Sequence, residues 1–144
     1  MDLIEYRRLL RRILERYTDS AIGKLTAILA SVPTTATGLT IVASYEDDGG
    51  GSFSVWARLE GPDSYVLNRP IEAHRELFAV LHTEDGLTPP VPAETGGESF
   101  NVPDAIADTV ADWVASLRDR VPQSRWEWTV DGADGIGTTT PRLL

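Results

Sequence analysis

The chain has 144 residues, 13 Lys+Arg against 22 Asp+Glu, no cysteine and 42% hydrophobic residues. At about 100–150 residues per domain this predicts one domain, long enough to bury a sizeable core. The formal charge of -9 argues against general nucleic-acid affinity, which needs a basic surface. The missing cysteines exclude disulfides, thiolate metal sites and a cysteine nucleophile.

In chain order, residues 1–32 read as a helical N-terminal segment. Leu3, Tyr6, Leu10, Ile13 and Tyr17 step by three and four, with Asp2 at the dipole-favoured start. Asp19 or Ser20 suits the cap of a second helix carrying Ile22, Leu25, Ile28 and Leu29, and Pro33 ends it; one long bent helix is the alternative. Residues 37–69 read as a β-meander. Leu39, Ile41, Ala43 and Tyr45 alternate with polar neighbours, and so do Phe53, Val55, Ala57 and Leu59 after the turn Asp47-Asp48-Gly49-Gly50-Gly51. After Gly61-Pro62-Asp63, the segment Ser64–Asn68 is expected to be a third antiparallel strand.

Pro70 is then expected to open a helix through His82, with Ile71, His74, Phe78 and Leu81 on one stripe. Residues 83–101, with Pro89, Pro90, Pro92, Gly86, Gly96, Gly97 and four acids, form a long loop of the kind that is either functional or mobile. A last helix starts around Pro103 and runs to Val121, burying Ile106, Val110, Trp113, Val114 and Leu117. Asp104, Asp108 and Asp112 repeat on the side taken to face solvent. Residues 125–144 hold a final strand, Arg125–Val130, a turn-rich loop, and either a short edge segment or a frayed tail. The order αα-βββ-α-α-β predicts an α+β domain: a four-stranded, mostly antiparallel sheet with helices on one face.

The charge is unevenly placed. Residues 1–24 hold six basic and four acidic groups, a balance of +2, which leaves -11 for the rest. Arg7, Arg8, Arg11, Arg12 and Arg16 fit a solvated helix face paired with acids better than a phosphate grip, since no exposed aromatics interleave them. The two histidines, His74 and His82, fall about 80° apart and more than two turns apart on one predicted helix, which does not suit a shared metal. Asp131-Gly132-Ala133-Asp134-Gly135-Ile136-Gly137 superficially resembles a calcium loop, but the twelfth position is Arg142 rather than Glu, so a turn using Asp and Gly is the better reading. No nucleophile elbow or phosphate-binding loop is present in the sequence. No catalytic residue, metal or cofactor is therefore expected.

The start of the chain lacks the basic-then-apolar order of a secretory leader, and its longest apolar-rich stretch is shorter than the ~20 residues that cross a bilayer. A cytoplasmic protein without a membrane partner is expected. Twelve arginines to one lysine point to a GC-rich genome.

In size, acidity, lack of cysteine and α+β order, the chain resembles the small bacterial immunity proteins of toxin–immunity systems. Its closing run Asp134-Gly135-Ile136-Gly137-Thr138-Thr139-Thr140-Pro141 resembles the tail of uncharacterised proteins from GC-rich bacteria. The first resemblance implies a module that occludes a basic protein partner. The acids Asp104, Asp108, Asp112, Glu46, Asp47 and Asp48 are expected to form the docking surface, together with Trp56, placed on the sheet face opposite the apolar one. Two alternatives stand beside it: a small-ligand protein or enzyme with a histidine in its pocket, and a structural subunit that self-associates through a sheet edge.

Overall fold

The computed structural model describes residues 1–47 and 50–144; the predicted docking residue Asp48 lies outside them. The N-terminal segment is two helices. In α1 (Leu3–Glu15) the Asp2 carboxylate accepts the Glu5 N–H at 2.8 Å, and Tyr6, Leu10 and Leu14 are buried. The chain breaks at Arg16–Tyr17 and resumes as α2 (Thr18–Ala30), which buries Ala21, Leu25 and Ile28. The break is used: Tyr17 packs edge-on against Phe78 at 5.1 Å, and Thr18 Oγ1 accepts the Trp113 indole N–H at 3.1 Å.

The alternating runs form the expected hairpin. β1 (Gly38–Tyr45) pairs antiparallel with β2 (Phe53–Glu60), in register from Gly38 opposite Glu60 to Tyr45 opposite Phe53. Leu39, Ile41, Ala43, Phe53, Val55, Ala57 and Leu59 are all buried.

Beyond the hairpin, two expectations are overturned. Ser64–Asn68 is not a strand but a short helix, α3. Asp63 takes a left-handed conformation (φ 57°) that turns the chain back. The Asn68 amide then grips β2 by accepting the Leu59 N–H at 2.8 Å and donating to the Leu59 carbonyl at 3.1 Å. A five-residue alternation is too short to separate strand from helix, and this buried amide decides it. The helix expected over Pro70–His82 is also absent. A 3₁₀ turn spans Arg69–His74, and the chain then enters β3 (Glu76–Ala79), paired antiparallel with β2. The outer edge of β2 presents unpaired backbone groups, and Ala57 N–H to Arg75 O and Val80 N–H to Phe53 O are part of the result. The helical spacing of Ile71, His74, Phe78 and Leu81 was coincidental, since His74 and Leu81 are exposed.

A separate two-stranded hairpin, β4 (Leu81–Thr83) with β5 (Gly86–Thr88), begins before the expected loop and occupies its first residues; the chain is irregular from there to Asn101. α4 (Val102–Arg118) follows, with the Asn101 side chain accepting the Asp104 N–H at 2.9 Å. The last long strand, β6 (Trp128–Gly132), starts three residues later than expected and leaves Trp126 outside the sheet. The tail ends in an edge strand, β7 (Arg142–Leu143).

The architecture is α+β with a mixed sheet of five strands in the order β3-β2-β1-β6-β7, rather than the four expected; β1 and β6 are parallel and the other pairs antiparallel. Ser64–Asn68 drops out of the expected four, β3 is added where a helix was expected, and β7 realises the short edge segment that was one of two alternatives for the tail. Both β3 and β7 are two to four residues long and recruited by the edges they cover. α4 crosses β1 and β6, α1 packs on α4, and α2 lies beside β3, which buries the Leu39 and Phe53 side of the sheet. The other side carries Val42, Ser44, Trp56 and Arg58, partly or fully exposed. Among the described residues no helix is long and apolar enough to cross a membrane.

Candidate functional site

The aspartate stripe of α4 is engaged within the protein, with Asp108 buried and Asp104 and Asp112 partly exposed. Asp104 Oδ1 accepts the Gly137 N–H at 2.8 Å. Asp108, 4% exposed, takes four hydrogen bonds from the N–H and hydroxyl groups of Thr138 and Thr139, at 2.6–2.9 Å. Burial would raise its carboxyl, but these four donors outweigh burial and hold it below the ordinary aspartate value. Asp112 pairs with Arg7 at 2.7 Å and Arg142 at 2.8 Å. The three carboxylates thus hold the residue 137–142 tail against the helix instead of forming an outward docking surface. Sequence spacing identifies one face of α4 but not the segment that folds onto it.

Trp56 is 38% exposed on the open sheet face, its indole N–H donating to Ser54 Oγ at 2.8 Å. Glu46 and Asp47 are exposed at the far end of the hairpin. The α1 arginines divide: Arg7 reaches Asp112 and Arg11 pairs with Glu15 at 3.0 Å, whereas Arg8, Arg12 and Arg16 make no ion pair among the described residues. His74 ends the 3₁₀ turn and His82 lies in β4, both exposed. No group of three His, Cys, Asp or Glu among the described residues is placed to hold a metal.

Near Glu46 and Asp47 the structure gathers residues that sequence reading left apart. Tyr45, at the end of β1, donates its hydroxyl to Glu94 of the proline-rich loop, and the Glu94 N–H returns to the Gly50 carbonyl at 2.8 Å. Gly51 is required here, because at φ 112° a Cβ would stand 3.1 Å from Glu94 N and from Pro92 O. Glu98 accepts the Thr95 N–H at 2.7 Å and the Gly96 N–H at 3.0 Å. These backbone donors, Thr95 first, keep its carboxyl below the usual glutamate value. Tyr6 of α1, 1% exposed, tilts against Phe100 at 5.3 Å. Together with Met1, Thr95 and Glu98 it lines a recess of about 180 Å³.

Carboxylates dominate the charges acting on the two tyrosines of this corner. Burial raises the Tyr6 hydroxyl pKa, and Tyr45, Glu94 and Glu98 raise it further. Tyr45 is raised by burial and by its hydrogen bond to Glu94, with further effects from Glu94, Asp47 and Glu98. Glu46, Asp47, Glu94 and Glu98 form no ion pair among the described residues. The loop's unusual length and its acids were the available sequence signal; the contribution of Tyr6, eighty-eight positions upstream of Glu94, had none.

The Tyr6 hydroxyl is shielded from solvent and has no hydrogen-bond partner among the described residues. Tyr6→Phe is therefore expected to raise the unfolding free energy by about 1 kcal/mol, because it removes a desolvated, unpaired polar group while keeping the ring; urea unfolding checks it. Both tyrosines have folded pKa values raised above the unfolded one, so their contribution is fully present below pH about 10 and is lost as pH rises beyond it. Melting temperature should fall less steeply above that pH in a Tyr6→Phe/Tyr45→Phe variant than in the parent.

No curated protein and no solved structure matches the chain. A family model described as "Family of unknown function (DUF6389)" matches residues 1–144, and the chain belongs to that family.

Proposed function

We propose that the protein is a binding module that receives the basic surface of a protein partner at the acidic corner formed by Glu46, Asp47, Glu94 and Glu98. One observation carries this reading: Asp47, Glu94 and Glu98 act together on Tyr45, next to Glu46 in the chain, and none of the four forms an ion pair among the described residues, whereas Asp104, Asp108 and Asp112 are engaged by the protein's own tail and Arg7. In water, unpaired surface acids steer a positively charged partner and raise its association rate by about 10–10³-fold. Trp56 on the open face supplies an aromatic anchor of the type that dominates interface energetics. An immunity-type role, in which the module covers a basic toxin, follows from the resemblance in size, charge and architecture. No nucleic-acid or membrane partner is part of this reading.

The test compares two variants of equal charge. One neutralises the corner (Glu46→Gln, Asp47→Asn, Glu94→Gln, Glu98→Gln). The other neutralises four exposed acids elsewhere (Glu72→Gln, Glu84→Gln, Asp85→Asn, Glu127→Gln). A basic protein retained from cell lysate at low salt is expected to associate at least tenfold more slowly with the corner variant and nearly normally with the control. Equal losses in both would reduce the effect to net charge and overturn the assignment to this corner, and no retained basic protein would overturn the reading altogether.

A further inference from the structure

A cleft of about 520 Å³ lies between the C-terminal half of α2 and the 122–126 segment that joins α4 to β6. That is within the 300–1,000 Å³ usual for small-molecule sites, which are apolar with a few placed polar groups. Leu29, Ala30, Val32, Pro122 and the Trp126 ring supply apolar wall, and Arg125 is the one charged residue among those lining it.

Thr26, Thr34, Gln123 and Ser124 add neutral polar groups to the wall, and Arg125 is its exposed cation. Arg125 Nη2 donates to the Thr34 carbonyl at 2.8 Å and, more weakly, to the Ala36 carbonyl at 3.4 Å. Those bonds orient the guanidinium, yet no carboxylate pairs with it among the described residues, and its Nε and Nη1 have no hydrogen-bond partner there. The Trp126 indole N–H meets no acceptor among the described residues, but it is shielded from solvent and so out of reach of an occupant; the ring is what Trp126 contributes to the wall. A guanidinium only donates, so an occupant that complements this wall carries an acceptor and negative charge at the Arg125 end and an apolar body at the other. The chain's overall charge of -9 does not forbid it, since exposed charges beyond about 8 Å are screened at physiological ionic strength.

We propose that this cleft binds a small amphipathic carboxylate, its acid group on Arg125 and its apolar body against Leu29, Val32 and Trp126. The site is at a different place from the acidic corner and stands independently of it.

Octanoate and its uncharged isostere octanamide are the probes, followed by titration calorimetry and by tryptophan fluorescence. Octanoate is expected to bind saturably and about tenfold more tightly than octanamide, the amount one charge-assisted contact contributes. Arg125→Gln should remove that preference and leave octanamide binding unchanged. Thr26→Trp, which fills the cleft from an exposed position on α2, should abolish binding of both, and Trp126→Phe should remove the fluorescence response. If Arg125→Gln fails to fold, the comparison of the two probes on the unaltered protein still decides the charge requirement. The proposal is overturned if octanoate does not saturate, if the two probes bind alike, or if Thr26→Trp leaves binding intact.

Discussion

Replacing Asp108 with alanine is expected to lower the unfolding free energy by about 3 kcal/mol, measured by urea or thermal unfolding at pH 7. The buried carboxylate takes four hydrogen bonds from Thr138 and Thr139, and hydrogen bonds to a charged group contribute about 1.5–3 kcal/mol each before the freed donors regain water. Both threonines are exposed, so rehydration returns part of that sum. The loss should therefore appear first as release of residues 137–144, read as faster proteolysis of the tail. Asp108→Asn should recover part of the stability, since it keeps one acceptor oxygen but turns an NH₂ group toward the threonine donors. Because the folded carboxyl lies below its ordinary value, its contribution is fully present above pH about 3.9 and is lost as pH falls through the folded value. The alanine variant should lack this portion of the acid-induced loss. A change under about 0.5 kcal/mol at pH 7, the range of an ordinary surface substitution, would show that the tail is not held by this residue.

Gly132→Ala is expected to cost about 3 kcal/mol, the upper end of the usual range for overpacking. The glycine's role is space rather than backbone conformation, since its φ of -100° suits any residue. A Cβ there would stand 2.1 Å from the Ile136 carbonyl oxygen and 2.7 Å from Ile136 Cγ1, and a backbone oxygen cannot swing aside as a side-chain tip can. Relief requires moving the 133–136 turn, which delivers the Gly137 N–H to Asp104. Gly23→Ala supplies the contrast. Gly23 lies in α2 with no atom within 4 Å of an added Cβ, so that variant should gain about 1 kcal/mol from helix propensity. Thermal unfolding of the pair separates the two effects, and equal shifts in one direction would contradict the steric argument.

Both predictions concern the same device. The turn and tail after β6 are folded onto α4 by three carboxylates that sequence reading assigned to a partner. The physical chemistry behind that assignment holds, in that a carboxylate stripe needs donors or water. What the spacing lacks is the identity of the donors, which lie about thirty residues away in the tail. The unpaired acids of the corner became visible as a group once Tyr45 and Glu94 were brought together across forty-nine positions.

Elements with local signals are legible in the chain itself. The helical character of residues 1–32, the hairpin from Gly38 to Glu60 and the helix beginning near Pro103 follow from residues no more than a few turns or one tight loop apart, whereas the division of the first segment into two helices at Arg16–Tyr17 does not. Tertiary structure alone decided the rest. It made Ser64–Asn68 a helix through a buried asparagine, drew Glu76–Ala79 into the sheet by the open edge of β2, placed Trp126 on a cleft instead of a strand, and turned Asp108 inward. Each of these outcomes depends on a hydrogen-bonding or packing partner distant in the chain, and the free energy of such a partnership outweighs the weak preferences of a short segment.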